Sequence, residues 1–118
     1  DIAPVEYSSA DPHWKAVEDI MHSMNSVEDV STKSALDKAL RSTIPDPNLR
    51  AFVLTNYCAR QKGWKIPVAT ICEQLDRIAG FDITDHTTNA YDGDVFIIHG
   101  GQSRFVRHAY MDRIGELF

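Results

Sequence analysis

No hydrophobic run in this sequence is longer than four residues, as at Val95–Ile98, whereas crossing a bilayer takes roughly 18. No membrane span is therefore expected. Basic residues are also scarce: 12 Lys and Arg stand against 17 Asp and Glu, and the formal net charge is −5. They form no cluster, so a nucleic-acid backbone is excluded as an expected partner. Cysteine is rarer still. Cys58 and Cys72 are too few for a disulfide framework and have no CxxC spacing. They read as reduced, mostly buried thiols in a reducing compartment. There is no initial Met and no basic-plus-apolar signal segment, so the 118 residues from Asp1 read as a cut piece or a processed chain. What is present, 43% hydrophobic and 25% charged residues, is ordinary for a globular protein and excludes a disordered tail or a low-complexity linker.

Residues 1–10 show no helical period and read as a strand end running into a loop. Asp11-Pro12 then carries a helix start, since Asp is a favoured N-cap and Pro fits the first helical position. Trp14, Val17, Ile20, Met21, Met24 and Val27 follow at steps of three and four, one apolar stripe. A second helix is expected from about Ser31, with Ala35, Leu36, Ala39 and Leu40 inward. It stops near Ile44 because Pro45 disfavours helical backbone in the residue before it. The start signal returns at Asp46-Pro47, with Leu49, Phe52, Val53, Leu54 and Tyr57 as a third stripe broken by Gln61–Gly63. Trp64–Ile66 alternates like a short strand. Val68, Ile71, Leu75 and Ile78 predict a fourth helix ending at Gly80, and the polar residues 82–92 a loop. Asp94–His99 reads as a strand buried on both faces and ended by Gly100-Gly101. Val106, Met111, Ile114 and Phe118 predict a closing helix.

Four helices leading to one buried-type strand make an awkward complete domain. A parallel strand needs neighbours, and the only other candidate is the stub at Asp1–Val5. The pattern predicts a helical excursion between two strands of a sheet that the chain does not contain. Trp14, Met21, Met24, Phe52 and Leu75 are expected in the core of that excursion rather than against a substrate.

No self-contained active site follows from the residues. No serine has the Gly-x-Ser-x-Gly frame of a nucleophile elbow; Gly101-Gln102-Ser103-Arg104-Phe105 lacks the second glycine. The histidines at 13, 22, 86, 99 and 108 have no HExxH or paired spacing, so no metal site is expected, and Gly100-Gly101 is not GxGxxG. No cofactor is implied.

Four blocks taken in order nevertheless carry a resemblance. Asp1–Tyr7, Ile44–Asn56, Trp64–Val68 and Val95–Val106 resemble consecutive segments of a small α/β-hydrolase subfamily. It comprises the mitochondrial α/β-hydrolase-domain-11 proteins, bacterial short-chain acyl-CoA esterases and ethanol acetyltransferases. The resemblance implies a fragment of an α/β hydrolase, a mainly helical cap with one buried core strand at about 94–99 and a closing helix. Residues 1–10 would be the end of a core strand and the acid loop, 11–92 the cap or lid, and 93–118 the strand, its Gly-Gly turn and a helix. The nucleophilic Ser and the His would lie outside this segment, in the remainder of the hydrolase core, its expected partner.

In most α/β hydrolases the triad acid stands in a turn after the seventh strand, where this chain has Ser103, and a hydroxyl cannot carry the charge. The subfamily resembled uses instead an Asp just after the sixth strand, and Asp1 matches it. Asp94 precedes its strand and would sit at the opposite sheet edge. Gln102, where relatives often carry Asn, Ser103 and Phe105 are candidate substrate contacts. The resemblance thus implies a segment supplying the triad acid Asp1 to a serine hydrolase. The enzyme would act on small acyl esters or thioesters, or transfer the acyl group, in the mitochondrial matrix or the cytoplasm. The segment by itself would be inactive. The alternative is a non-catalytic helical binding or structural module, or a subunit of an assembly that kept the hydrolase shape.

Overall fold

Both Asp-Pro pairs start helices, and for the reason their chemistry dictates. In a computed structural model describing residues 2–27, 30, 32–81 and 91–118, Asp11 Oδ1 accepts the His13 N–H at 2.8 Å ahead of α1 (Pro12–Ser26). Asp46 Oδ1 accepts the Asn48 N–H at 2.8 Å ahead of α3 (Pro47–Val53). Each carboxylate satisfies a donor that the first turn leaves without a helical partner. Between them, α2 (Lys33–Ala39) is capped by Thr32 Oγ1, which accepts the Ala35 N–H at 3.2 Å. The expected start at Ser31 lies outside the described residues.

The chain divides into two compact units, residues 15–75 and residues 1–14 with 76–118. The helical unit is organised by α2 and the turn after it. Leu36, Leu40 and Ile44, at four-residue steps, are its most buried side chains, each 1% exposed. Met24, Val53, Leu54, Tyr57 and Val68 close around them, with Met21, Trp64 and Cys72 half-buried at the edge. Burying an aliphatic side chain of this kind contributes about 1.5–3 kcal/mol. Ala35 and Ala39, expected inward, are exposed, because the large residues at 36 and 40 fill the available face.

After α3 the helical path ends early: a 3-10 turn, Leu54–Asn56, runs into β1 (Tyr57–Cys58). β1 pairs antiparallel with β2 (Gly63–Trp64) in a hairpin, Tyr57 facing Trp64. Lys62 closes its loop with φ 50°. The tightening turn places Leu54 inward and turns Phe52 out, 67% exposed, so Phe52 is not part of the core. The expected fourth helix is two, α4 (Val68–Glu73) and α5 (Leu75–Ala79). The break at Gln74 resets the phase of the stripe, so Leu75 and Ala79 are buried while Ile78 is 49% exposed. Gly80 follows α5 and donates to Asp76 O at 3.0 Å.

In the other unit, Ala3, Val106 and Ile114 form a small core with Val5, Tyr110 and Met111 against it. A 3-10 turn, His108–Tyr110, leads into α6 (Met111–Leu117), which buries Ile114 and Leu117 and leaves Phe118 half-exposed. The buried strand expected at 94–99 is not formed. Those residues pair with no strand, and Phe96 and Ile98 are 91% and 94% exposed. Residues 2–7 likewise carry no ladder. The reason is the same for both: a strand exists only through hydrogen bonds to a neighbour, and the one sheet among the described residues is the β1–β2 hairpin. The loop expected at 82–92 falls mostly outside the described residues.

Candidate functional site

Tyr7 joins the two segments that the sequence singles out. Its hydroxyl accepts the Ala3 N–H at 2.8 Å and donates to Phe105 O at 2.6 Å, a contact between residues 98 apart in the chain. Its ring is 5% exposed. It stacks on Trp14 at 5.7 Å between centroids and meets the Phe105 ring edge-on at 5.8 Å. The Tyr7 N–H donates to Ala79 O at 2.9 Å. The N-terminal segment is thus held beside the turn that follows residues 94–99. Asp1 itself lies outside the described residues.

That turn is built on Ser103. Its N–H donates to Gly100 O at 2.9 Å. Its Oγ accepts the Phe105 N–H at 3.2 Å and the Val106 N–H at 3.0 Å. A serine whose oxygen already serves two backbone donors organises a turn. Among the described residues its Oγ makes no hydrogen bond to a His or a carboxylate. Gln102 is exposed, and Phe105 is half-buried with its ring on Tyr7. His99 Nδ1 lies 2.9 Å from Gly100 O.

Beyond the turn, Arg107 forms an ion pair with Asp11 Oδ2 and lies over the Tyr110 ring at 5.4 Å. Asp11 therefore serves two ends of the chain, capping α1 with one oxygen and holding Arg107 with the other. Neither Tyr7 nor Arg107 stands out in the sequence, because neither falls in a periodic stripe or a spaced motif. The signal available was the position of Tyr7 within the Asp1–Tyr7 block.

The helical unit offers a different feature, a half-open cavity of about 370 Å³ lined by Val27, Val30, Leu36, Tyr57, Gly63 and Trp64, with Lys62 the one charged residue among its described lining. Among the described residues, none of its lining side chains is a carboxylate, His or Cys. The Trp64 indole N–H and the Tyr57 hydroxyl are used inside the unit, donating to Met24 O at 2.9 Å and Val30 O at 2.8 Å. Both cysteines are free thiols. Burial, with Glu73 adding to it, pushes the Cys72 thiol above its ordinary range, and its Sγ lies 3.3 Å from Met21 O. No group of three or more His, Cys, Asp or Glu suited to a metal ion occurs among the described residues. Among the described residues no helix is long and apolar enough to cross a membrane.

The chain is similar to two curated proteins. One is the mouse (Mus musculus) sn-1-specific diacylglycerol lipase ABHD11, 29% identical over 84 residues, which cover 70% of this chain and 26% of the relative. The other is the zebrafish (Danio rerio) sn-1-specific diacylglycerol lipase ABHD11, 28% identical over 123 residues, covering 100% of this chain and 38% of the relative. The chain therefore spans roughly a quarter to two fifths of the length of the curated relatives it matches. No protein-family model and no solved structure matches it. The two similarities support a hydrolase relationship for a mainly helical segment.

Proposed function

We propose that this chain is the cap and acid-bearing segment of a serine hydrolase that cleaves small acyl esters or thioesters, or transfers their acyl group. The observation that carries the proposal is the Tyr7 hydroxyl between Ala3 and Phe105. It holds the segment after Asp1 beside the carboxyl end of the 94–99 run. Catalytic groups in open α/β sheets gather outside the carboxyl ends of strands, so an acid from one segment and a turn from the next belong together there. The lipase names of the two relatives support an ester as the substrate class.

In this reading the chemistry is divided. The Ser hydroxyl, supplied by the remainder of the hydrolase core, adds to the acyl carbonyl as His takes its proton. The protonated His returns that proton to the leaving group, and water or another acceptor then takes the acyl group from Ser. Asp1 orients the His and stabilises its imidazolium. Ser103 serves as a turn residue in this reading, its Oγ accepting the Phe105 and Val106 N–H groups. The exposed Val95–Ile98 run becomes a core strand when that sheet is present. The free thiols of Cys58 and Cys72 support a reducing site of action, the mitochondrial matrix or the cytoplasm.

The test is labelling of the full-length protein with a serine-reactive fluorophosphonate. Covalent labelling at one Ser outside this segment is expected, and it should be abolished by prior denaturation. Folded protein that takes up no label overturns the proposal.

A further inference from the structure

We infer that the cavity of the helical unit is a binding site for a small amphiphilic anion, a monocarboxylic acid with an apolar tail. Nothing in the hydrolase reading is needed for it: the described lining belongs to residues 15–75 and includes none of the residues placed in the reaction. The volume, about 370 Å³, falls within the range of roughly 300–1,000 Å³ common to small-molecule sites. Two kinds of element line it. The chain between α1 and α2, and α2 itself, bring Val27, Val30 and Leu36, which offer aliphatic carbon only. The hairpin brings Tyr57 and Trp64, whose rings meet edge-on at 5.9 Å, and the loop residues Lys62 and Gly63. The polar atoms of both rings are already spent on Val30 O and Met24 O, so the rings offer a ligand carbon rather than donors.

Lys62 is different. Its side chain is exposed, and among the described residues its ammonium enters no ion pair and no hydrogen bond. By contrast, Lys65 donates to Thr55 O at 2.6 Å and Lys15 is paired with Asp19. Carbon walls beside one unspent cation select a molecule that carries both an apolar body and a single negative charge. A neutral lipid would leave the ammonium without a partner. A phosphate, with up to two charges and three acceptor oxygens, asks for more donors than one lysine supplies. Burial of the tail then supplies most of the affinity, and the ammonium supplies the selection, since an exposed charge pair adds little by itself.

The test is titration calorimetry of the full-length protein with straight-chain acids from butanoate to dodecanoate. Affinity should rise about threefold to fourfold with each added methylene and level off once the cavity is filled. Lys62→Met keeps the stem and removes the charge. It should weaken octanoate about fivefold or more and leave octan-1-ol binding unchanged, and Lys62→Arg should bind octanoate as the wild type does. Lys62→Gly guards against a folding defect: residue 62 holds φ 50°, a conformation glycine adopts freely, so this variant loses the charge without backbone strain. It should match Lys62→Met. Octylamine should bind the wild type more weakly than octan-1-ol. To locate the ligand, 5-fluorotryptophan is incorporated and the Trp64 resonance assigned with Trp64→Phe. That resonance should move as octanoate is added, while the resonance of Trp14, which is not among the lining residues, stays in place. Octanoate that binds the wild type and both charge-removed variants equally, or octylamine that binds as tightly as octanoate, overturns the proposal. A Trp64 resonance that stays fixed while octanoate binds, or no saturable octanoate binding up to millimolar concentration, overturns it as well.

Discussion

Arg50 spends its charge inside the helical unit, 7% exposed on a helix whose pattern marks it as a polar position. Its Nη1 donates to Ile44 O at 2.7 Å and Pro45 O at 2.8 Å, and its Nε to Asp37 Oδ1 at 2.9 Å. The turn between α2 and α3 leaves those two carbonyls without helical donors, and the guanidinium fork reaches both. Arg50→Met keeps most of the stem and strands the carbonyls. At about 1–3 kcal/mol for each buried group left unpaired, a loss of roughly 2–6 kcal/mol is expected in urea unfolding. A loss below about 0.5 kcal/mol would show that water replaces the guanidinium there. Asp37 gives the same contact a pH signature. The hydrogen bond from Arg50, then that from Arg41, holds its carboxyl below the ordinary value of 3.8. A lowered folded-state pKa contributes stability that is complete above the unfolded value and is lost as pH falls through the folded one. The stability gap between wild type and Asp37→Asn should therefore be constant above about pH 5 and shrink at lower pH. A gap that widens on acidification would contradict the assignment.

Secondary elements divide by what each needs from its surroundings. α1, α2 and α3 are legible because a helix closes its own hydrogen bonds and carries its own apolar stripe, with the starts of α1 and α3 marked by Asp11 and Asp46. The split at Gln74 and the early end of α3 are not. They are set by which of Ile78 and Ala79, or Phe52 and Leu54, finds room, and propensity does not decide that. Residues 94–99 depend most on context, because their apolar pattern describes a strand among neighbours. Phe96 and Ile98 are the sensitive probes. Replacing both by Ser in the 118-residue chain should change its stability by less than about 0.5 kcal/mol, as expected for exposed positions, and should reduce association in light scattering. In the full-length protein the same pair should cost several kcal/mol, about 2–5 for each large side chain removed from a core. Equal small effects in both settings would mean that the run is never buried.

At the scale of the whole molecule, the helical character of the chain followed from periodicity, whereas the site did not. The bond that organises the candidate site, Tyr7 to Phe105, spans 98 residues and belongs to no spacing rule. The role proposed for Asp1 came from the order of four sequence blocks. It has a sharp consequence, because in that reading the nucleophile and the base lie outside this segment. The 118-residue chain should hydrolyse a short-chain p-nitrophenyl ester no faster than buffer at any pH, while the full-length protein turns it over. In that protein Asp1→Asn should fold normally, Asn being close to isosteric, yet lose roughly 10³–10⁴-fold in kcat as the His takes the wrong tautomer. Ser103→Ala removes an acceptor from two backbone donors in the turn and should cost at most about 1–2 kcal/mol of stability, with turnover falling far less than in Asp1→Asn. The order of the two variants decides between the acids. If Ser103→Ala were the more damaging and Asp1→Asn kept most of its turnover, the His would have to be oriented, and its imidazolium stabilised, by another carboxylate. The Asp1 segment would then be a strut of the cap and nothing more.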